Sequence, residues 1–202
     1  MIVFSTTYLA PSRRPDDSMP ETFQRARTFL QSIGIAVTID PVAAKGGFLP
    51  GLRVRGATIT VAAADHDLAG DMMHEAGHIA VTPSLFRDQL DGNTNAVLPA
   101  MFAWLDAHPA AFGYPENPVA RAIMQSLETE AIAWSYAAAL AADIDSRLPF
   151  LKGFGGGGLD IHHQVEHGQH LGIHGLAHGG MTELPWRHSV TPFPKMKRWM
   201  QI

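Results

Sequence analysis

From residue 21 onward, the apolar positions Phe23, Ala26, Phe29, Leu30 and Ile33 fall three or four apart, with polar residues between them. That spacing puts them on one face of a helix over residues 21–33. Gly34 follows, where helices commonly end in a left-handed residue. Residues 35–39 are few and β-branched and predict a short strand. Residues 52–62 alternate with β-branched positions and predict a strand or a hairpin arm. Residues 68–81 hold no proline, and Met72, Met73, Ala76, Ile79 and Ala80 make most of their surface apolar. Such a pattern belongs to a buried helix. Asp67 stands at the position of an N-cap, and Pro83 lies where that helix must stop.

Next comes a connection of more than forty residues, 82–125, with the length of a lid or a substrate wall. It includes one helical stretch, 96–107, and a proline-rich loop, 109–118. A second long helix is expected over 119–144. Pro149 and the glycine run 153–158 then break the chain. No Gly-Lys-Ser/Thr follows the run, so it is read as a connection, not a phosphate loop. The pattern divides the chain into a proline-rich N-terminal arm (1–20), one α+β domain (21–150) and a Gly/His-rich extension of that domain (151–202).

Composition narrows the class. The chain has 202 residues, of which 46% are hydrophobic and 17% charged, which describes a globular protein with a real core. The formal net charge is −4, so neither nucleic acid nor an anionic membrane is expected as a partner. There are no cysteines, which excludes disulfides, thiolate metal sites and cysteine nucleophiles. Neither a secretory leader nor an apolar run of membrane-spanning length is visible, and a cytoplasmic protein is expected.

Within the apolar 68–81 segment lies His74-Glu75-Ala76-Gly77-His78, the pattern H-E-x-x-H. On a helix, His74 and His78 share a face and can grip one metal ion, while Glu75 can reach a water beside it. Zn²⁺ is the expected ion, since it suits imidazole nitrogen and accepts a site with one open position. Glu75 is the candidate general base.

A catalytic zinc needs a third protein ligand. A third histidine shortly after His78 is absent, because Thr82-Pro-Ser-Leu-Phe-Arg-Asp88 occupies that stretch. A glutamate on the second helix is the alternative, and Glu128 and Glu130 open it. They lie about 200° apart around a helix, so only one can face the ion. The ligand is expected to be buried, and the other exposed or bonded elsewhere. Glu128 shares a face with Ala131, Ser135 and Ala138, small enough for close helix packing, whereas Glu130 shares one with Trp134.

The order helix, strands, H-E-x-x-H helix, then a helix bearing Glu128-Thr-Glu130-Ala131-Ile-Ala-Trp134-Ser135, resembles the ImmA/IrrE-type metallopeptidases and, more broadly, zincins with a glutamate ligand. Aligned to that family, Glu128 is the third ligand; the thermolysin-type pattern, with its glutamate directly before Ala-Ile, selects Glu130. The resemblance covers about residues 20–145. It implies a zincin-like fold, a small sheet packed on the two metal-bearing helices, and cleavage of a peptide or protein substrate. The 52–62 strand would hold an extended peptide by strand addition. The interval between the two motifs is longer than is usual in the family, and the C-terminal extension has no counterpart there.

His162, His163, His167, His170, His174 and His178 crowd the extension. They allow a second metal site, an oxyanion-stabilising histidine (His174 or His170), or merely a solvated surface. His66 and His108 read as surface residues. Two other functions share the motif: a zinc-stabilised interaction module without catalysis, and a metal-dependent hydrolase of non-peptide substrates. A purely structural site has no use for Glu75 and normally takes four protein ligands.

Overall fold

The computed structural model of the chain describes residues 19–113, 116–151 and 158–202. Among them are eight α-helices and one three-stranded sheet, a mixed α+β architecture. Nearly all of the N-terminal arm and all of the glycine run but Gly158 lie outside the described residues. No helix among the described residues is long and apolar enough to cross a membrane.

Helix α1 (Glu21–Ser32) buries Phe23, Ala26 and Leu30. It ends as its glycine foretells: Gly34 has φ +92°, its N–H donates to Gln31 O at 3.2 Å, and the Ile35 N–H donates to Leu30 O at 3.0 Å. Two carbonyls left over at the helix end are thus satisfied. Strand β1 (Ala36–Ile39) follows at once, then β2 (Leu52–Arg55) and β3 (Thr58–Val61). The 52–62 segment is a hairpin turned at Gly56, which has φ +54°. The order is β1-β3-β2, with β3 parallel to β1 and antiparallel to β2. Val37, Leu52, Val54, Ile59 and Val61 point into the core.

Helix α2 (His66–Val81) packs with α1 on the sheet's inner side. It is buried on every side from Ala69 to Val81. It starts two residues before expectation, because Asp65 and not Asp67 is the cap: Asp65 Oδ1 accepts from the Asp67 N–H at 2.9 Å. The long connection carries α3 (Ser84–Arg87), a 3-10 turn over Thr94–Val97 running into α4 (Leu98–Ala107), and another over Pro109–Phe112.

The single helix expected over 119–144 is two. Helix α5 (Pro118–Met124) is capped by the Asn117 side chain and stops at Gln125, and α6 (Glu128–Ala141) begins after an extended Leu127. Ser126 explains the break. Its buried hydroxyl is within hydrogen-bonding distance of both Ala122 O (2.6 Å) and Val81 O (2.8 Å), which ties the bend to the end of α2. Helix α6 lies along α2, and the C-terminal helices α7 (Gly158–Glu166) and α8 (Leu171–His178) lie against α6. The last residues return to α2 and α6, where the Gln201 N–H donates to Ala80 O at 2.8 Å and the Trp134 indole N–H of α6 donates to Trp199 O at 2.9 Å.

Candidate metal centre

His74 and His78 are buried on the same face of α2, with their Nε2 atoms 3.3 Å apart. Glu128, the first residue of α6, spans them: Oε1 is 3.4 Å from His74 Nε2 and Oε2 is 3.1 Å from His78 Nε2. The break at residues 125–127 makes this possible, because it starts a new helix beside the histidines. Close packing holds the pair of helices there. A Cβ on Gly77 would lie 2.5 Å from Ala131 O, so only glycine lets the backbones approach this far. Gly77 is three residues from His74, and Ala131 is three from Glu128. The contact therefore sits directly beside the three side chains.

These separations fit a metal ion. Bonds of about 2.05 Å meeting at tetrahedral angles place neighbouring ligand atoms about 3.3 Å apart. Two imidazoles and a carboxylate are also the donor set zinc takes in catalytic sites. Among the described residues, His74, His78 and Glu128 form one of two groups of histidines and acids whose ligand atoms converge, and the other lies on the surface.

Glu75 adds a second sign. It is buried, and its Oε2 has no hydrogen-bond partner among the described residues. A buried carboxylate oxygen left bare is costly unless something outside the chain meets it. Burial pushes the Glu75 carboxyl up to about 7; His78 opposes the shift, and Glu128 and Asp71 add to it. Burial, helped by His78 and opposed by Glu128, takes the His74 imidazole down to about 4, so the ring is neutral at pH 7, the form that binds metal. Burial works to raise Glu128, but the hydrogen bond and charge of His78, with the charge of His74, leave it below the ordinary value.

Glu130 goes elsewhere. It is buried, and its Oε2 accepts from the Leu127 N–H at 3.2 Å and the Thr129 hydroxyl at 2.9 Å. This is one half of a capping box, since Leu127 has no side-chain acceptor to complete it. The expected burial order is reversed: 39% of the Glu128 side chain stays exposed, at the mouth of the centre. A carboxylate at the rim leaves this group of side chains open to solvent on that side.

The histidine-rich extension does not gather at this centre. His162 is buried, 3.0 Å from Ser146 Oγ and packed against Tyr136 and Phe150. His170 caps α8, its Nδ1 accepting from the Gly172 N–H at 3.3 Å. His174 is exposed, and His178 lies 3.5 Å from Glu116. His66 and His108 are exposed, as expected, with His108 stacked on Trp104.

Strand addition along 52–62 meets an obstacle. β3 is the central strand, and the outer edge of β2 already bonds to the chain near Asp91: Gly92 N–H to Val54 O at 2.8 Å, Gly56 N–H to Leu90 O at 2.9 Å. Three contributors escaped the sequence reading. Asp71 is buried one turn before Glu75, and the four-residue spacing is the signal that could have found it. Gly77 stood inside the motif, and its smallness was the signal. Ser126 carried none, because its partner Val81 is far away in sequence. Comparison with protein-family models, curated proteins and solved structures finds no match to this chain.

Proposed function

We propose that this chain is a zinc-dependent metallopeptidase of the glutamate-ligand kind, with His74, His78 and Glu128 holding the ion and Glu75 acting as general base. The observation that carries this reading is the convergence of two buried imidazoles and one carboxylate at ligand spacing, with a bare buried carboxylate oxygen on the residue between the histidines. When bound, zinc would supply an acidified water and a Lewis-acid pull on the scissile carbonyl.

The chain's own residues do the rest. Glu75 Oε2, without a hydrogen-bond partner among the described residues, takes the proton from the attacking water. The same oxygen then returns that proton to the leaving amine. Burial of Glu75 within α2 limits the water that reaches it from the core side. Glu128 at the rim leaves an approach for an extended peptide.

A peptide library incubated with the zinc-loaded protein and read by mass spectrometry tests the activity. Cleavage is expected, and Glu75→Gln should keep the zinc while slowing turnover by about 10² or more. Equal cleavage by Glu75→Gln would remove Glu75 from its role. Zinc retention without cleavage by either protein would favour the non-catalytic module.

A further inference from the structure

The end of helix α7 and His167, in the turn just past it, carry a second set of donors, unrelated to the first. His163, Glu166 and His167 place one ligand atom each within 4.8 Å of one another. The spacing is H-x-x-E-H, the reverse order of the buried motif. Their arrangement is more specific than three polar groups on a surface. The two imidazoles meet edge to face with centroids 4.0 Å apart, as i and i+4 on a helix allow. His163 Nδ1 is 3.9 Å from Glu166 Oε2. His167 Nδ1 lies 2.9 Å from His163 O. A carbonyl can only accept, so Nδ1 carries the proton and the Nε2 lone pair is left for a metal. The same device orients metal-binding histidines in known sites.

We infer that His163, Glu166 and His167 form a second, solvent-exposed site for a borderline divalent transition metal. Two imidazoles and one carboxylate favour copper, nickel or zinc over magnesium or calcium. All three residues are exposed, so waters complete the coordination shell. Glu166 and His167 also line a cavity of about 250 Å³ with Tyr136, Ile173 and Phe193, so two of the three donors border open space on that side as well. No ligand is shared with the buried centre, so this site stands or falls independently of the proposed peptidase activity.

The probe is Cu²⁺, titrated into the full-length protein after equilibration with one equivalent of zinc. Binding is followed by calorimetry and by electron paramagnetic resonance. The wild type is expected to take up a copper ion whose spectrum shows two nitrogen donors. The His163→Ala/His167→Ala variant should bind copper about tenfold or more weakly and lose that signature. Its thermal midpoint without metal should be unchanged, since both rings are exposed. The His74→Ala/His78→Ala variant should keep the signature. Copper uptake that survives His163→Ala/His167→Ala, or a wild type that binds copper no better than this variant, would overturn the site. A signature lost only in His74→Ala/His78→Ala would place the copper at the buried centre and also overturn it.

Discussion

Glu128 and Glu130 differ by two positions and do different work. Glu128 faces two imidazoles, whereas Glu130 caps the backbone of its own helix and lies against Gly175, where an added Cβ would come within 1.9 Å of its Oε1. The small residues on the Glu128 face were legible in the sequence, and on that face α6 comes close enough to α2 for Glu128 to stand beside the two imidazoles. The burial order was not legible, because it depends on α8 covering Glu130. The two residues should therefore separate cleanly. Glu128→Ala should abolish tight zinc binding and leave the metal-free protein's stability nearly unchanged. Glu130→Ala should keep the zinc but cost about 1–2 kcal/mol by freeing the Leu127 N–H, a fall in Tm of about 2–8 °C. Zinc competition titrations and thermal melts of both variants check this, and the reverse pattern would transfer the ligand role to Glu130.

At the level of elements, helix periodicity identified α1, α2 and α4 to within a few residues, and β-branched runs located β1 and the 52–62 segment, which the structure divides into two strands, β2 and β3, at Gly56. The α5–α6 break was hidden. Residues 119–144 contain neither proline nor glycine, and the agent of the break, Ser126, acts through a carbonyl on another helix. Helices α7 and α8 were hidden too, because glycine and histidine are poor helix formers in isolation. In α8 the glycines serve packing: a Cβ on Gly172 would lie 1.8 Å from Thr129 O. The same physics governs α2 against α6 and gives a test. Gly77→Ala puts a methyl into the Ala131 backbone, which should cost about 1–3 kcal/mol. It should also weaken zinc binding, because the helices must part where Glu128 meets His74 and His78. Denaturant unfolding and zinc titration of this variant measure both effects. Unchanged zinc affinity would mean that the α2–α6 contact does not set the centre's geometry.

Across the whole molecule, the centre sits where distant parts of the chain meet. The sheet and α1 cover one side of α2, and α6 lies along it. The C-terminus closes over the end of α2, with Arg87 donating to both Thr82 O and Gln201 O at 3.0 and 2.8 Å. Trp134, Phe29 and Trp199 pack where α6, α1 and this last segment converge. A histidine pair on one helix and a glutamate on another bind together only if this frame is folded, so ion binding and folding are linked. The most direct measurement of the central claim is the zinc content of the purified protein after passage over a chelating resin that strips weakly held metal. The wild type and Glu75→Gln should each retain about one zinc, and His74→Ala, His78→Ala and Glu128→Ala close to none. A wild type without zinc, or zinc retained in full by any of those three variants, would contradict it.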